Sequence, residues 1–223
     1  MLDLSYKFNQ EETSIKVLLF NGSPRGEMCT YTALAEIART LNEEGVETEI
    51  VSVGTKPIAG CIGCGACRKA GKCVFGDNDG VNAFVEKART ADGFIFGAPV
   101  HYASIGGAAS AFLDRVFYSN SSVFAFKPGA AVVSCRRGGS TASLDQLNKY
   151  FTINQMPVVS SKYWNMVHGN NPEQVMQDLE GMQVMRYLGR NMAWMLKCIE
   201  LGKQNGLHHP QPEEVRYSTN FIR

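Results

Sequence analysis

The chain has 223 residues, enough for one α/β domain with extensions or at most two small domains. Its 22 lysines and arginines face 21 aspartates and glutamates, and the net charge of +1 excludes a global field drawing it to nucleic acid or an anionic membrane. Any phosphate site must therefore be local.

The opening stretch "MLDLSYKFNQEETS" is polar and lacks the basic start and apolar core of a signal peptide, so residues 1–14 are expected to form a polar extension of a cytoplasmic protein. In such a compartment an odd count of seven cysteines argues against a disulfide framework and leaves metal ligation, redox chemistry or packing. "IKVLLFNGSPR" follows with a continuous apolar run, Val17 to Phe20, bounded by turn residues, as in a strand buried on both faces. Leu34, Ile37, Ala38 and Leu41 then recur at helical spacing until Gly45. "VETEIVSV" is a second strand, and four cysteines fall in the next connection, residues 54–80.

"VNAFVEKARTADGFIFGAPV" repeats the helix-then-strand rhythm, "AASAFLDRVFY" is a helix, "GAAVVSC" a strand, "SLDQLNKYF" a helix and "PVVSS" a fifth strand. The apolar region from Ile105 to Phe126 contains Asp114 and Arg115, which mark a buried helix of a water-soluble fold rather than a membrane span of roughly 20 apolar residues. Alternation of this kind builds a parallel sheet with helices on both faces, and five strands fit a flavodoxin-like doubly wound order. From Pro172 to Gln204 the apolar residues Val175, Leu179, Met182, Met185, Leu188, Met192, Met195 and Ile199 recur at spacings of three and four, a stripe expected to face the core or a neighbouring subunit. Residues 15–204 are thus expected to form the domain and residues 205–223 an extended tail.

Three loops should open at one sheet edge, the edge where open α/β sheets bind ligands. In "NGSPRGEMCT" the hydroxyls of Ser23 and Thr30, the guanidinium of Arg25 and the amides of the coming helix could hold a monophosphate. Neither G-x-x-x-x-G-K-[ST] nor G-x-G-x-x-G occurs, which sets aside a triphosphate loop and a dinucleotide fingerprint. "GAPVHYASIGG" offers Pro99, His101 and Tyr102 to an aromatic ring, and Gly138 and Gly139 in "SCRRGGST" permit close backbone approach. A phosphate cradle beside a ring slot describes a flavin mononucleotide (FMN) site. No Ser-His-Asp order or paired-carboxylate signature stands out.

Cys61, Cys64, Cys67 and Cys73 are spaced C-x2-C-x2-C-x5-C among Gly60, Gly63, Gly65 and Gly71. Short x2 loops can wrap three thiolates around one face of a [4Fe–4S] cluster while a fourth closes it. Structural zinc and metal-free thiols remain alternatives. Cys135 and Cys198 read as core residues, and Cys29 as a space-filling residue or a reactive thiol at a helix start.

Together "NGSPRGEMCT", "GAPVHYASIGGAASAFLDR" and "CIGCGACRKAGKC" resemble the NADPH-dependent FMN reductase and iron-sulfur flavoprotein family, of flavodoxin-like fold, and "YWNMVHG", "GRNMAW" and "TNFIR" resemble one of its longer branches. The resemblance implies Ser23, Arg25 and Thr30 at the FMN phosphate, with Met28 and Cys29 as backbone donors. It further implies Pro99, Val100, His101 and Tyr102 along the isoalloxazine, and the four cysteines as cluster ligands. Glu27-Met28-Cys29 departs from the Asn, Gly or Ser common in related loops. The implied function is an FMN-dependent oxidoreductase that oxidises NADH or NADPH and reduces a quinone, free flavin or other small acceptor. The alternatives are an FMN and [4Fe–4S] electron carrier serving a ferredoxin-like partner, and a flavin-binding regulatory protein. A homodimer or homotetramer is expected, with no nucleic-acid or membrane partner.

Overall fold

The computed structural model describes residues 14–75, 78–211, 215, 217 and 219. The expected N-terminal extension and much of the expected tail lie outside them. In chain order the elements are β1 (Lys16–Asn21), α1 (Cys29–Glu43), β2 (Glu47–Ser52), α2 (Cys67–Ala70), α3 (Val81–Arg89), β3 (Gly93–His101), β4 (Ser104–Ile105) and α4 (Gly107–Asn120). A 3-10 turn at Ser121–Val123 leads to β5 (Gly129–Cys135), α5 (Ser140–Thr152), β6 (Met166–His168), α6 (Pro172–Gln177) and α7 (Leu179–Gln204).

Five strands pair in the parallel order β2-β1-β3-β5-β6, and β4 folds back antiparallel on the end of β3. This is the expected flavodoxin-like sheet. Its apolar strands are buried on both sides because period-two side chains serve two cores. Leu18 and Phe20 join Phe84, Phe96 and Phe112 on one face, where the Phe20 and Phe112 rings stack at 4.7 Å. Val17 and Leu19 join Leu34, Ile37 and the α7 stripe on the other.

Two details of the expected layout are corrected. "PVVSS" is not a strand: it touches the sheet only through an isolated Gly129–Val158 bridge, and the fifth strand is β6. The next residues are held by α7 instead, since Asn191 Nδ2 donates to Ser160 O at 2.8 Å and Ser161 Oγ donates to Val184 O at 2.7 Å. The long helical segment is also broken at Asp178. There the carboxylate caps α7 by accepting from Gly181 N at 2.9 Å, and ties it to the sheet by accepting from His168 N at 2.7 Å. Past that break, Met182, Met185, Leu188 and Met192 are buried and Leu179 is exposed, so the stripe is mostly core. Among the described residues no helix is long and apolar enough to cross a membrane.

Candidate functional site

The first loop is built on Asn21, a fully buried amide at the end of β1. Its Nδ2 donates to Gly26 O at 3.0 Å and to Ser52 Oγ at 3.2 Å, while its Oδ1 accepts from Ser23 N at 3.1 Å. Three bonds from one side chain fix the turn before any ligand arrives. Gly22 is required beneath it: a Cβ there would lie 2.7 Å from Ala109 Cβ, and its N–H already donates to Gly97 O at 2.8 Å.

The loop delivers α1 with its amino end open. The cap residue Met28 offers no side-chain acceptor, and the first turn carries no acidic residue. The first amides of the helix therefore lack a side-chain cap and favour an anion. Thr30 and Ser134, both nearly fully buried, stand 2.8 Å apart across the cleft floor. In that pair one hydroxyl donates to the other, which leaves a second O–H for a ligand oxygen. Arg25 is exposed at the rim, and its guanidinium makes no ion pair among the described residues.

These groups line a cleft of about 430 Å³ together with Met28, Cys29, Pro99, Val100 and His101. The start of α4 closes one side through Gly106, Gly107 and Ala108, and Cys135, Arg136, Gly169 and Asn170 close the other. Tyr102, Gly138 and Gly139 do not line it. Tyr102 is fully exposed at the turn tip with φ 62°, and Gly138 is exposed. Gly139 begins α5, packed so closely that a Cβ would meet Val100 Cγ1 at 2.9 Å. The sequence reading missed Asn21, Ser134 and Asn170; the legible signal for the first two was a polar residue at the end of an apolar strand aimed at the ligand edge. Burial raises the thiols of Cys29 and Cys135 above their ordinary value, a direction that disfavours the thiolate a reactive Cys29 would need. Cys135 Sγ lies 3.3 Å from His168 Nδ1, a structural contact.

Beside this cleft the four cysteines meet. Cys61, Cys64, Cys67 and Cys73 line one cavity of about 20 Å³ with Ile62, Val74, Phe75, Arg115, Tyr118 and Ser119. Cys61 and Cys64 are exposed, Cys67 is half-buried and Cys73 is buried. Gly63, Gly65 and Gly71 all have φ between 65° and 69°, the left-handed turns that let the chain wrap. Among the described residues no three His, Cys, Asp or Glu side chains are placed to hold a single metal ion. The cysteines surround a space instead.

Cys73 is held hardest. Asn82 of α3 accepts from its N–H and donates to its carbonyl, each at 3.0 Å, and Arg115 Nε donates to its Sγ at 3.2 Å. Arg115 is 1 % exposed; its Nη1 pairs with Asp79 and donates to Ala59 O at 3.3 Å, and its face lies over the Phe75 ring at 5.1 Å. Burial acts to lower its pKa, yet the bonds to Asp79 and Cys73 outweigh that and raise it, so the charge is secure. Its Nη2 has no acceptor among the described residues. A buried unpaired donor is costly, and here it belongs to a residue that lines the cysteine cavity.

Cleft and cavity share α4: Gly107 and Ala108 touch the first, Arg115, Tyr118 and Ser119 the second. Seven residues from Ala108 to Arg115 put them roughly 10 Å apart along the helix axis.

Comparison with known proteins agrees with this geometry. Residues 15–171 match the model of the NADPH-dependent FMN reductase family. An iron-sulfur flavoprotein of Methanocaldococcus jannaschii is 32% identical over 197 residues, covering 83% of this chain and 100% of the relative. Another from Methanosarcina thermophila is 31% identical over 194 residues, covering 83% and 97%. Among solved structures, RosB with bound 8-demethyl-8-formylriboflavin-5'-phosphate superposes with a TM-score of 0.65 at 15% identity, covering 94% of each chain. A flavodoxin from the domain Archaea gives 0.55 at 15% identity, covering 82% and 99%. The chain belongs to the NADPH-dependent FMN reductase family of FMN-dependent oxidoreductases.

Proposed function

We propose that this member of the family is an electron-transfer oxidoreductase that holds FMN in the Ser23–Asn170 cleft and a [4Fe–4S] cluster on Cys61, Cys64, Cys67 and Cys73. The carrying observation is the convergence of all four cysteines on one cavity lined by a buried arginine with a donor unpartnered among the described residues. Four thiolates and cluster sulfides are the acceptors such a donor lacks, so the residues fit the group. The cleft fits FMN on its donor set: open helix amides, a paired Thr30 and Ser134 with an O–H to spare, and an Arg25 without an ion pair among the described residues. The names of the two curated relatives support the same reading.

Bound FMN would supply exchange of either one or two electrons, and the cluster exchange of one at a time. The chain's residues do the holding and placing. Ser23, Thr30, Ser134, Arg25 and the α1 amides take the phosphate, with Asn21 keeping the loop rigid. Pro99, Val100 and His101 form a wall for the ring, and α4 spaces the two groups. Burial of Cys73 and the covering Phe75 keep water from one side of the cysteine cavity, while exposed Cys61 and Cys64 leave another side facing outward.

A second reading, direct reduction of a quinone, flavin or other small acceptor with NADH or NADPH, is favoured by the exposed His101 and Gly107 at the cleft mouth and by the family's description. Association of copies belongs to either reading. Exposed Tyr118 and Ile153, with tail residues Val215 and Tyr217, line a groove of about 1260 Å³ that reaches Cys61, a surface suited to a second copy.

The test is anaerobic mixing of the purified protein with NADPH or NADH and either a quinone or a ferredoxin-type acceptor. The expected result is that Cys61→Ser retains NAD(P)H oxidation but loses delivery to the one-electron acceptor. Equal delivery by both proteins would contradict the electron-transfer reading and leave the second one.

A further inference from the structure

We propose that Arg115 is the positioning residue that sets the reduction potential of the cysteine-bound cluster, an inference that rests on the cluster reading above. Three observations bring it forward. Arg115 sits in α4, a different element from the loop carrying all four cysteines, so it is not part of the ligand motif. It is fully buried and charged, with Asp79 as its one carboxylate partner among the described residues. Its Nε already donates to Cys73 Sγ at 3.2 Å, and Nη2, on the same edge of the planar guanidinium, has no partner among the described residues.

A purely structural arginine in this position would be expected to spend its donors on carbonyls and carboxylates. This one gives Nη1 to Ala59 O and Asp79, and keeps two nitrogens on the sulfur side. The Phe75 ring covers one guanidinium face, which limits screening by water. Reduction adds negative charge to a cluster, and cluster potentials respond to net charge, to hydrogen bonds on the sulfurs and to exposure. A fixed cation with two N–H groups toward the sulfurs stabilises the reduced form and raises the potential. Asp79 offsets part of that field, so its charge works in the opposite direction. The two residues therefore predict shifts of opposite sign.

The experiment uses the full chain, reconstituted anaerobically with ferrous iron and sulfide, and measures iron content, FMN content and the midpoint potentials of cluster and flavin in wild type, Arg115→Lys and Asp79→Asn. Lysine keeps the charge but cannot serve Asp79 and Cys73 together. Asparagine keeps an oxygen for the Val81 N–H that Asp79 accepts at 3.3 Å at the start of α3, and removes the charge together with the second oxygen, which accepts from Arg115 Nη1. The expected result is a lower cluster potential in Arg115→Lys, by a tenfold change in the oxidised-to-reduced ratio or about 59 mV. The cluster potential should be higher in Asp79→Asn, with the flavin potential unmoved in both. Reduced iron occupancy with an unshifted potential in the remaining clusters would assign Arg115 a structural role only and overturn the inference. If Arg115→Lys fails to fold, judged by loss of FMN, the sign of the Asp79→Asn shift decides: upward supports, absent or downward overturns. A wild-type chain that takes up no iron overturns the cluster reading itself and this inference with it, whereas a wild-type cluster with unmoved variants overturns only the role of Arg115.

Discussion

The flavin cleft and the cysteine cavity leave the same edge of one sheet, yet they are built in opposite ways. In the cleft the backbone is settled without a ligand: Asn21 makes three bonds to the loop, Gly22 is wedged against Ala109, and Thr30 and Ser134 satisfy each other. Around the cysteines Cys73 is fixed by Asn82 and Arg115 and Cys67 Sγ donates to Tyr118 O at 3.8 Å, while Cys61 and Cys64 stand exposed on a loop of left-handed glycines and Arg115 keeps one donor unspent among the described residues. One region is preorganised and spends its binding energy on the ligand. On the proposed reading, the other completes its bonding only with a group inside it. The cleft should therefore tolerate the loss of the cavity's group far better than the cavity tolerates the loss of a ligand.

The largest expected effect breaks the comparison at the cysteines. Changing Cys73 to Ser should remove essentially all iron from anaerobically prepared protein and leave the FMN stoichiometry unchanged, read by iron and flavin analysis, because no cleft residue bonds to Cys73. Loss of both groups together would show that the regions are not independent. Next is Arg25→Ala, which deletes the cation at the proposed phosphate end. A charge-assisted bond is worth about 1.5–3 kcal/mol, so the Kd for FMN should rise on the order of 10- to 100-fold while iron content stays fixed.

Gly22→Ala tests the preorganisation itself. The added Cβ meets Ala109 Cβ at 2.7 Å and Gly97 O at 3.0 Å, neither of which can swing aside. Overpacking of this kind should cost about 1–3 kcal/mol in urea unfolding and weaken FMN without touching the cysteines. The smallest effect belongs to a control remote from both regions. Glu36 joins α1 to α7 by pairing with Arg39 and Arg186, and its hydrogen bond to Arg39, ahead of that to Arg186, holds its carboxyl below the usual value. A depressed carboxyl adds stability that is present above its unfolded value near 4.5 and is lost as pH falls through the lower folded value. Glu36→Gln should thus cost less than about 1 kcal/mol, visible at pH 7 and vanishing in acid, with neither FMN nor iron affected.

Legibility in the sequence followed the range of the interactions. "KVLLF" declared a central strand because a strand buried on both faces reads as an unbroken apolar run. The same logic misled at "PVVSS", where Ser160 and Ser161 are claimed by Asn191 and Val184 of α7, contacts that no local pattern announces. At the phosphate loop Ser23, Arg25 and Thr30 were legible from their place between strand and helix, and they line the cleft. The glycine pair after β5 was placed beside the ring on the strength of its small size, but Gly139 caps α5 and packs against Val100, and Gly138 stands exposed. The cysteine spacing announced that the four would meet, and they line one cavity. Arg115 did not: within "AFLDR" it read as a charge on a soluble helix, since its partners Cys73 and Asp79 are 42 and 36 residues away.

The central claim is that one chain carries FMN in the finished cleft and a cluster in the unfinished cavity. Its most direct test is the analysis of anaerobically purified protein for FMN, iron and acid-labile sulfide, before and after reconstitution. The account predicts about one FMN with about four irons and four sulfides per chain, the iron disappearing and the FMN remaining when all four cysteines are changed to Ser. FMN without iron or sulfide, even after reconstitution, would contradict it.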